Sequence, residues 1–378
     1  MHHISALEIH CPTSRELLAV AEQLVQPAPI LTELTLAVSQ DREPAPYDDA
    51  VLSVSLFDGI SPVLTSATIV GLRIPATCPA LAKVTRLMLI PPPPERTISP
   101  ICLTDVMPCI DNLGVTLYPH SPQYTLAETH TIQTLTIFDS GNSEHVSYGE
   151  MRPHLASLDE VARIPHISVS DANKSTARTL LDSLGSQPVE QIAIRHDEDG
   201  HHLGLVEAAF YSENGGRSRC CMGLPKLALR DLLRERRNLT EYLRQLHCVD
   251  SALQFFERVR FPRLESLEIG IRRGLLRPNE YSAILSNMLL DDRTPKLHML
   301  QLSAEPRDDE TYISLDGYRL IAALRGRGNL RCLRVDGIVL TGWVENELVS
   351  LVDDVDVVVL DSSSIPQRFH KLYVRDNA

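Results

Sequence analysis

Leu264-Glu265-Ser266-Leu267-Glu268-Ile269, Leu297-His298-Met299-Leu300-Gln301-Leu302 and Leu330-Arg331-Cys332-Leu333-Arg334-Val335 write one pattern three times. Their first leucines fall at 264, 297 and 330, an interval of 33 residues each time. An apolar run that arose by chance would not keep a fixed period. This period is what a leucine-rich solenoid needs: a short strand turns three apolar side chains into the core, and a returning helix or irregular segment closes the turn.

Working outward in the same register, the pattern recurs at Leu243-x-x-Leu246-x-Cys248, Val189-x-x-Ile192-x-Ile194 and Ile164-x-x-Ile167-x-Val169. It reaches back to Leu31-x-x-Leu34-x-Leu36 and Ile4-x-x-Leu7-x-Ile9. Downstream it reads Val355-x-x-Val358-x-Leu360, and Phe369-x-x-Leu372-x-Val374 closes the chain. Pro29, Pro62, Pro262 and Pro295 stand two residues before a triplet, where proline stops a helix and favours extended backbone before it. Between triplets, Thr13-Ser14-Arg15-Glu16 has capping-box spacing, and Ser175 to Leu184 carries an apolar stripe before Gly185. The expected fold class is α/β: an irregular leucine-rich-repeat solenoid with parallel strands on the concave face and helices and loops on the convex face. It would span residues 1–378 as one body, with 197–240 as an irregular insertion and 361–378 as a C-terminal cap or tail. Within the insertion, Leu203 to Tyr211 reads as a strand and Pro225 to Arg236 as a basic helix.

Of the 378 residues 43% are hydrophobic and 22% charged, a globular composition. A formal net charge of -13 repels nucleic-acid phosphate and anionic lipid, so neither is expected as a partner. The eight cysteines sit mostly among apolar neighbours without a Cys-x-x-Cys pair, which fits reduced thiols. The N-terminus lacks a basic-then-apolar leader, and no apolar run approaches a spanning helix. A soluble intracellular protein, cytoplasmic or nuclear, is the expectation.

Leu56-Phe57-Asp58-Gly59-Ile60-Ser61-Pro62-Val63-Leu64, followed by Leu72-Arg73-Ile74-Pro75 and Cys78-Pro79-Ala80-Leu81, resembles the leucine-rich region of fungal F-box-like proteins. The resemblance covers the repeat style over the whole chain. It implies a non-enzymatic protein-recognition module that selects substrates for an SCF-type ubiquitin ligase. No Leu-Pro-x-x-Leu-Leu helix set precedes the repeats, so binding to a Skp1-type adaptor would require an F-box upstream of Met1. The ninth repeat position, where regular repeats carry Asn or Cys, holds Arg272, Glu305 and Ile338, which predicts an irregular arc.

If the triplet residues face the core, the residues between them face out, where such proteins bind partners. In the C-terminal half these are Arg244, Gln245, His247, Glu265, Glu268, His298, Gln301, Arg331 and Arg334. Their mixed charges in rows suit a protein surface better than an apolar metabolite. An alternative site is His196-Asp197-Glu198-Asp199-Gly200-His201-His202, where His196, His201 and His202 could ligate a divalent metal and support an enzyme or metal-binding protein. It lacks the second cluster of a structural zinc site and the spacing of a calcium loop, and a solvated turn explains it as well. Cys220-Cys221 reads as a packing pair, since adjacent cysteines form strained disulfides. No Gly-x-Ser-x-Gly turn or glycine-rich phosphate loop occurs, so no cofactor and no enzymatic activity are expected. A degenerate repeat protein without retained function is the remaining alternative.

Overall fold

Alternation of apolar and polar residues makes these triplets strands, and their recurrence along the chain lets the strands pair side by side. A computed structural model describes residues 3–38, 50–92, 101–116, 124–127, 131–138, 163–185, 187–196, 205–212, 216–236, 238–256, 259–271, 289, 292–304, 313–325, 327, 330–341 and 345–358. The fold is mixed α/β, dominated by a large, mostly parallel sheet, with few helices among the described residues. In chain order its strands are β1 (Ala6–Cys11), β2 (Glu33–Val38), β3 (Ser66–Val70), β4 (Arg86–Ile90), β5 (Asn112–Thr116), β6 (Thr134–Phe138), β7 (His166–Val169) and β8 (Val189–His196). Then follow β9 (Leu205–Ser212), β10 (Ser218–Pro225), β11 (Gln245–Val249), β12 (Ser266–Ile271), β13 (Met299–Ala304), β14 (Cys332–Asp336) and β15 (Asp354–Val358). Among the described residues no helix is long and apolar enough to cross a membrane.

The chain folds as two compact units, Met1–Gln187 with Asn214–Pro225, and Pro188–Glu213 with Lys226–Ala378. In the first, β1 to β7 pair in sequence order and β10 pairs with β7, every pair parallel. One buried row crosses it through Leu34, Ala67, Leu87, Leu113, Leu135 and Ile167 to Arg219. A second row ends Val115, Ile137, Val169, Cys221. In the second unit β9 lies antiparallel to β8, and β8, β11, β12, β13, β14 and β15 follow in parallel. Its core rows are Ile192, Leu246, Leu267, Leu300, Leu333, continued by the half-buried Val355, and Ile194, Cys248, Ile269, Leu302, Val335. The three copies that begin at Leu264, Leu297 and Leu330 therefore stack in register.

The segment expected as an irregular insertion contributes β9, β10 and a helix, Lys226–Glu235, that buries Leu229, Leu232 and Leu233. The last described copy is corrected by three residues: Val355 aligns with Leu333, so its triplet is Val352, Val355 and Val357. The run from Val355 to Leu360 is apolar enough to satisfy two registers, and the buried Val352 belongs to the observed one. Residues 361–378, with the expected cap, lie outside the described residues, as do Arg272 and Glu305. Ile338 is buried in a short parallel pair, Ile313–Asp316 with Ile338–Thr341.

Two buried arginines brace the segments that lead into strands. Arg219 occupies a position that is apolar on neighbouring strands and is 0% exposed. Its guanidinium donates to the main-chain oxygens of Ile164 (3.2 Å), Pro165 (2.9 Å) and Ser218 (2.8 Å), and its Nε donates to Ser183 Oγ at 2.7 Å. Ser183 caps the helix Lys174–Asp182, so one side chain ties a helix C-terminus to the lead-in of β7. Arg327 acts likewise in the second unit, donating to the main-chain oxygens of Leu289 and Thr294 and to Thr294 Oγ1 before β13. A buried charge is costly unless hydrogen-bonded, and these multiple acceptors offset the cost.

Local backbone strain occurs in the segment between β2 and β3. Phe57, Asp58 and Gly59 are all left-handed, with φ of 52°, 52° and 71°. Each non-glycine residue of that kind costs about 1 to 3 kcal/mol, and burial of Phe57, with its N–H on Leu24 O at 2.6 Å, opposes that cost. Gly71, at φ 81°, leaves β3 where a Cβ would stand 2.5 Å from Val38 Cγ2. Gly71→Ala is therefore expected to lower unfolding stability by about 2 kcal/mol or more, read as a denaturation midpoint. Leu300→Asp, which puts a carboxylate in the core row, should cost about 4 kcal/mol or more, while Arg334→Ala on the other face should cost under about 0.5 kcal/mol. Equal midpoints for the last two would contradict the register.

Candidate functional site

Burial of Leu246 and Cys248, Leu267 and Ile269, Leu300 and Leu302, and Leu333 and Val335 turns the residues between them outward. Register then places His247, Glu268, Gln301 and Arg334 in one line across β11 to β14, and the line continues to the position of Asp356 on β15. Gln245, which opens β11, stands in the neighbouring line with Ser266, Met299 and Cys332. His247 Nε2 and Glu268 Oε2 are 2.7 Å apart, and Ser303 Oγ donates to Glu268 Oε1 at 3.4 Å. Glu268 is thus held from two neighbouring strands.

The other four predicted residues sit at the strand starts. Glu265 N–H donates to Arg244 O at 2.8 Å, His298 N–H to Glu265 O at 3.1 Å, and Arg331 N–H to His298 O at 2.8 Å. These bonds stack Arg244, Glu265, His298 and Arg331 as a margin along the face. Arg244 Nε also lies 3.6 Å from Glu190 Oε1, so acid and base alternate from Glu190 through Arg244 to Glu265. Such exposed pairs stabilise by about 0 to 1 kcal/mol each, and the margin leaves Arg331 and His298 exposed.

Sequence reasoning missed one feature of this margin. Arg263 lies over the Tyr242 ring, with its guanidinium carbon 4.8 Å from the centroid. Both are exposed, and both directly precede the first leucine of a triplet, Leu243 and Leu264. Their equivalent places in consecutive repeats were the available signal.

Other polar groups have structural roles. Lys226 Nζ donates to Ser251 Oγ at 3.2 Å, and Asp250 Oδ1 accepts from the Ser251 N–H at 2.6 Å. Burial lowers the Lys226 pKa against the opposing pull of Asp250, and with Asp250 and Ser251 buried the trio ties two helix starts together. Cys221 faces the core, where burial pushes its thiol up to about 12, while Cys220 points to the other face of β10. Opposite directions on one strand preclude their pairing.

The alternative metal cluster is not assembled among the described residues. His196 ends β8, opposite Val206, while His201 and His202 lie outside the described residues. Among the described residues no group of three or more His, Cys, Asp or Glu side chains is placed to hold a metal ion. The chain matches no protein-family model and no curated protein sequence.

On the first unit, His166 Nδ1 lies 2.9 Å from Ser218 Oγ on the neighbouring strand. Burial, and then the charge of Arg219, lowers the His166 pKa from its ordinary 6.5. Just below that pH the unfolded chain binds more protons at this site than the folded chain, so stability rises with pH there. The contribution of the neutral imidazole is complete above 6.5 and is lost as pH falls through the depressed value. His166→Asn should therefore flatten the fall of the unfolding midpoint below pH 6.5, and an unchanged slope would refute this assignment.

Proposed function

We propose that the chain is a leucine-rich-repeat solenoid acting as a protein-recognition module, with the outward face of β11 to β14 and its margin as the binding surface. The observation that carries this reading is the line of His247, Glu268, Gln301 and Arg334, fixed in register and bordered by Tyr242 and Arg263. Tyrosine and arginine are the residue types that most often anchor protein interfaces, and a line of both charge signs gives orientation as well as attraction. The narrower role, selection of substrates for an SCF-type ubiquitin ligase in the cytoplasm or nucleus, rests on the resemblance to F-box-like repeats.

Affinity capture of the tagged chain from its own cells tests both levels. The double reversal Glu268→Arg with Arg334→Glu preserves total charge and touches no core residue. It should reduce partner binding by about 30-fold or more, the effect of losing a 2 kcal/mol anchor, with the circular dichroism of the folded chain unchanged. Tyr242→Ala should act in the same direction. Full recovery of the same partners by both variants would refute the surface. Skp1-type adaptor and cullin captured with a form extended by any in-frame segment upstream of Met1 would support the ligase role, and a reproducible partner set without them from that longer form would refute that role while leaving the recognition surface intact.

A further inference from the structure

The first unit carries a second surface, at the edge of β1. This strand ends the strand order, with β2 on one side and, among the described residues, no strand on the other. An exposed edge offers its backbone N–H and C=O groups as a template for another strand. The apolar rows are open here as well: Leu7 and Ile9 are half-buried, whereas Leu34 and Leu36 beside them on β2 are 1% and 0% exposed. Ile4, two residues before the strand, is a further exposed apolar side chain. On the opposite face Glu8 and His10 are exposed, with Glu8 Oε1 2.6 Å from His10 Nε2.

We infer that β1 pairs edge to edge with β1 of a second copy of this chain, antiparallel about a two-fold axis through Ile9. An axis perpendicular to the sheet keeps each face on its own side, so residues can lie opposite one another only if both point to the same face. Two central registers meet that condition. Centring on Glu8 sets Glu8 against the second copy's Glu8, a destabilising like-charge pair. Centring on Ile9 sets Glu8 against the second copy's His10, and His10 against its Glu8. Registers centred nearer either end pair fewer residues.

The same choice completes the apolar side. Ile9 meets Ile9 and Leu7 meets Cys11, so the core rows of each copy run on into the other, and the half-buried Leu7 and Ile9 become covered. A strand at the edge of a parallel sheet accepts an antiparallel neighbour without difficulty, since mixed sheets are common. Charge, register and exposed apolar surface thus select one occupant and one alignment.

Sedimentation velocity on the full chain over a range of concentrations tests the pairing. The wild-type chain should form a dimer. Glu8→Lys, which places Lys opposite His10 at both contacts, should raise the dimer dissociation constant roughly tenfold. The charge-exchange variant, Glu8→Lys with His10→Glu, sets Lys against Glu across the axis and should return it at least to the wild-type value. Both positions are exposed, so the circular dichroism of all three chains should coincide. A chain monomeric at every concentration, a dimer indifferent to Glu8→Lys, or an exchange variant no better than the single one would each overturn the pairing.

Discussion

Parallel strand pairing with fixed register is the constraint on which the rest of this structure depends. Side chains alternate with a period of two, so a slip of one residue between neighbouring strands would exchange their faces. In the second unit such a slip would carry His247, Glu268 and Arg334 into the core and expose Leu246, Leu267 and Leu333. The cost of that exchange, at about 1.5 to 3 kcal/mol for each large apolar side chain, holds every strand where it is. The order of charges on the outward face is thus set by the packing of leucines beneath it.

Much of this was legible in the chain. Strands with two aliphatic inward positions, such as Leu267 and Ile269 or Leu300 and Leu302, announce themselves by alternation. β10 did not, because its inward positions are Arg219 and Cys221: an arginine in a core row breaks the apolar pattern that marks a strand. Only the folded chain places Ile164, Pro165 and Ser183 oxygens around that guanidinium. The last described triplet was misaligned for the opposite reason, since valine crowds that segment and more than one register reads as apolar.

The candidate surface divided in the same way. His247, Glu268, Gln301 and Arg334 follow from counting along each repeat, because a strand's geometry is repetitive. The division into an outward face and a margin at the strand starts depends on where each strand begins, which propensity does not mark sharply. The stacking of Arg263 on Tyr242 and the left-handed run from Phe57 to Gly59 arise from contacts between separate segments, and local sequence carries little sign of either.

Strands in a sheet stand about 4.8 Å apart, so the line from His247 to Arg334 is also a ruler. A segment lying along that line as a polyproline-II helix advances about 3.1 Å per residue with three residues per turn, so three of its residues span about two strands and return to the same side. Glu268 and Arg334 are two strands apart. A chain that answered both would carry its basic and acidic residues three positions apart, and a spacing of two or four would miss one of them by about 3 Å. Length, and not charge alone, is written into the surface.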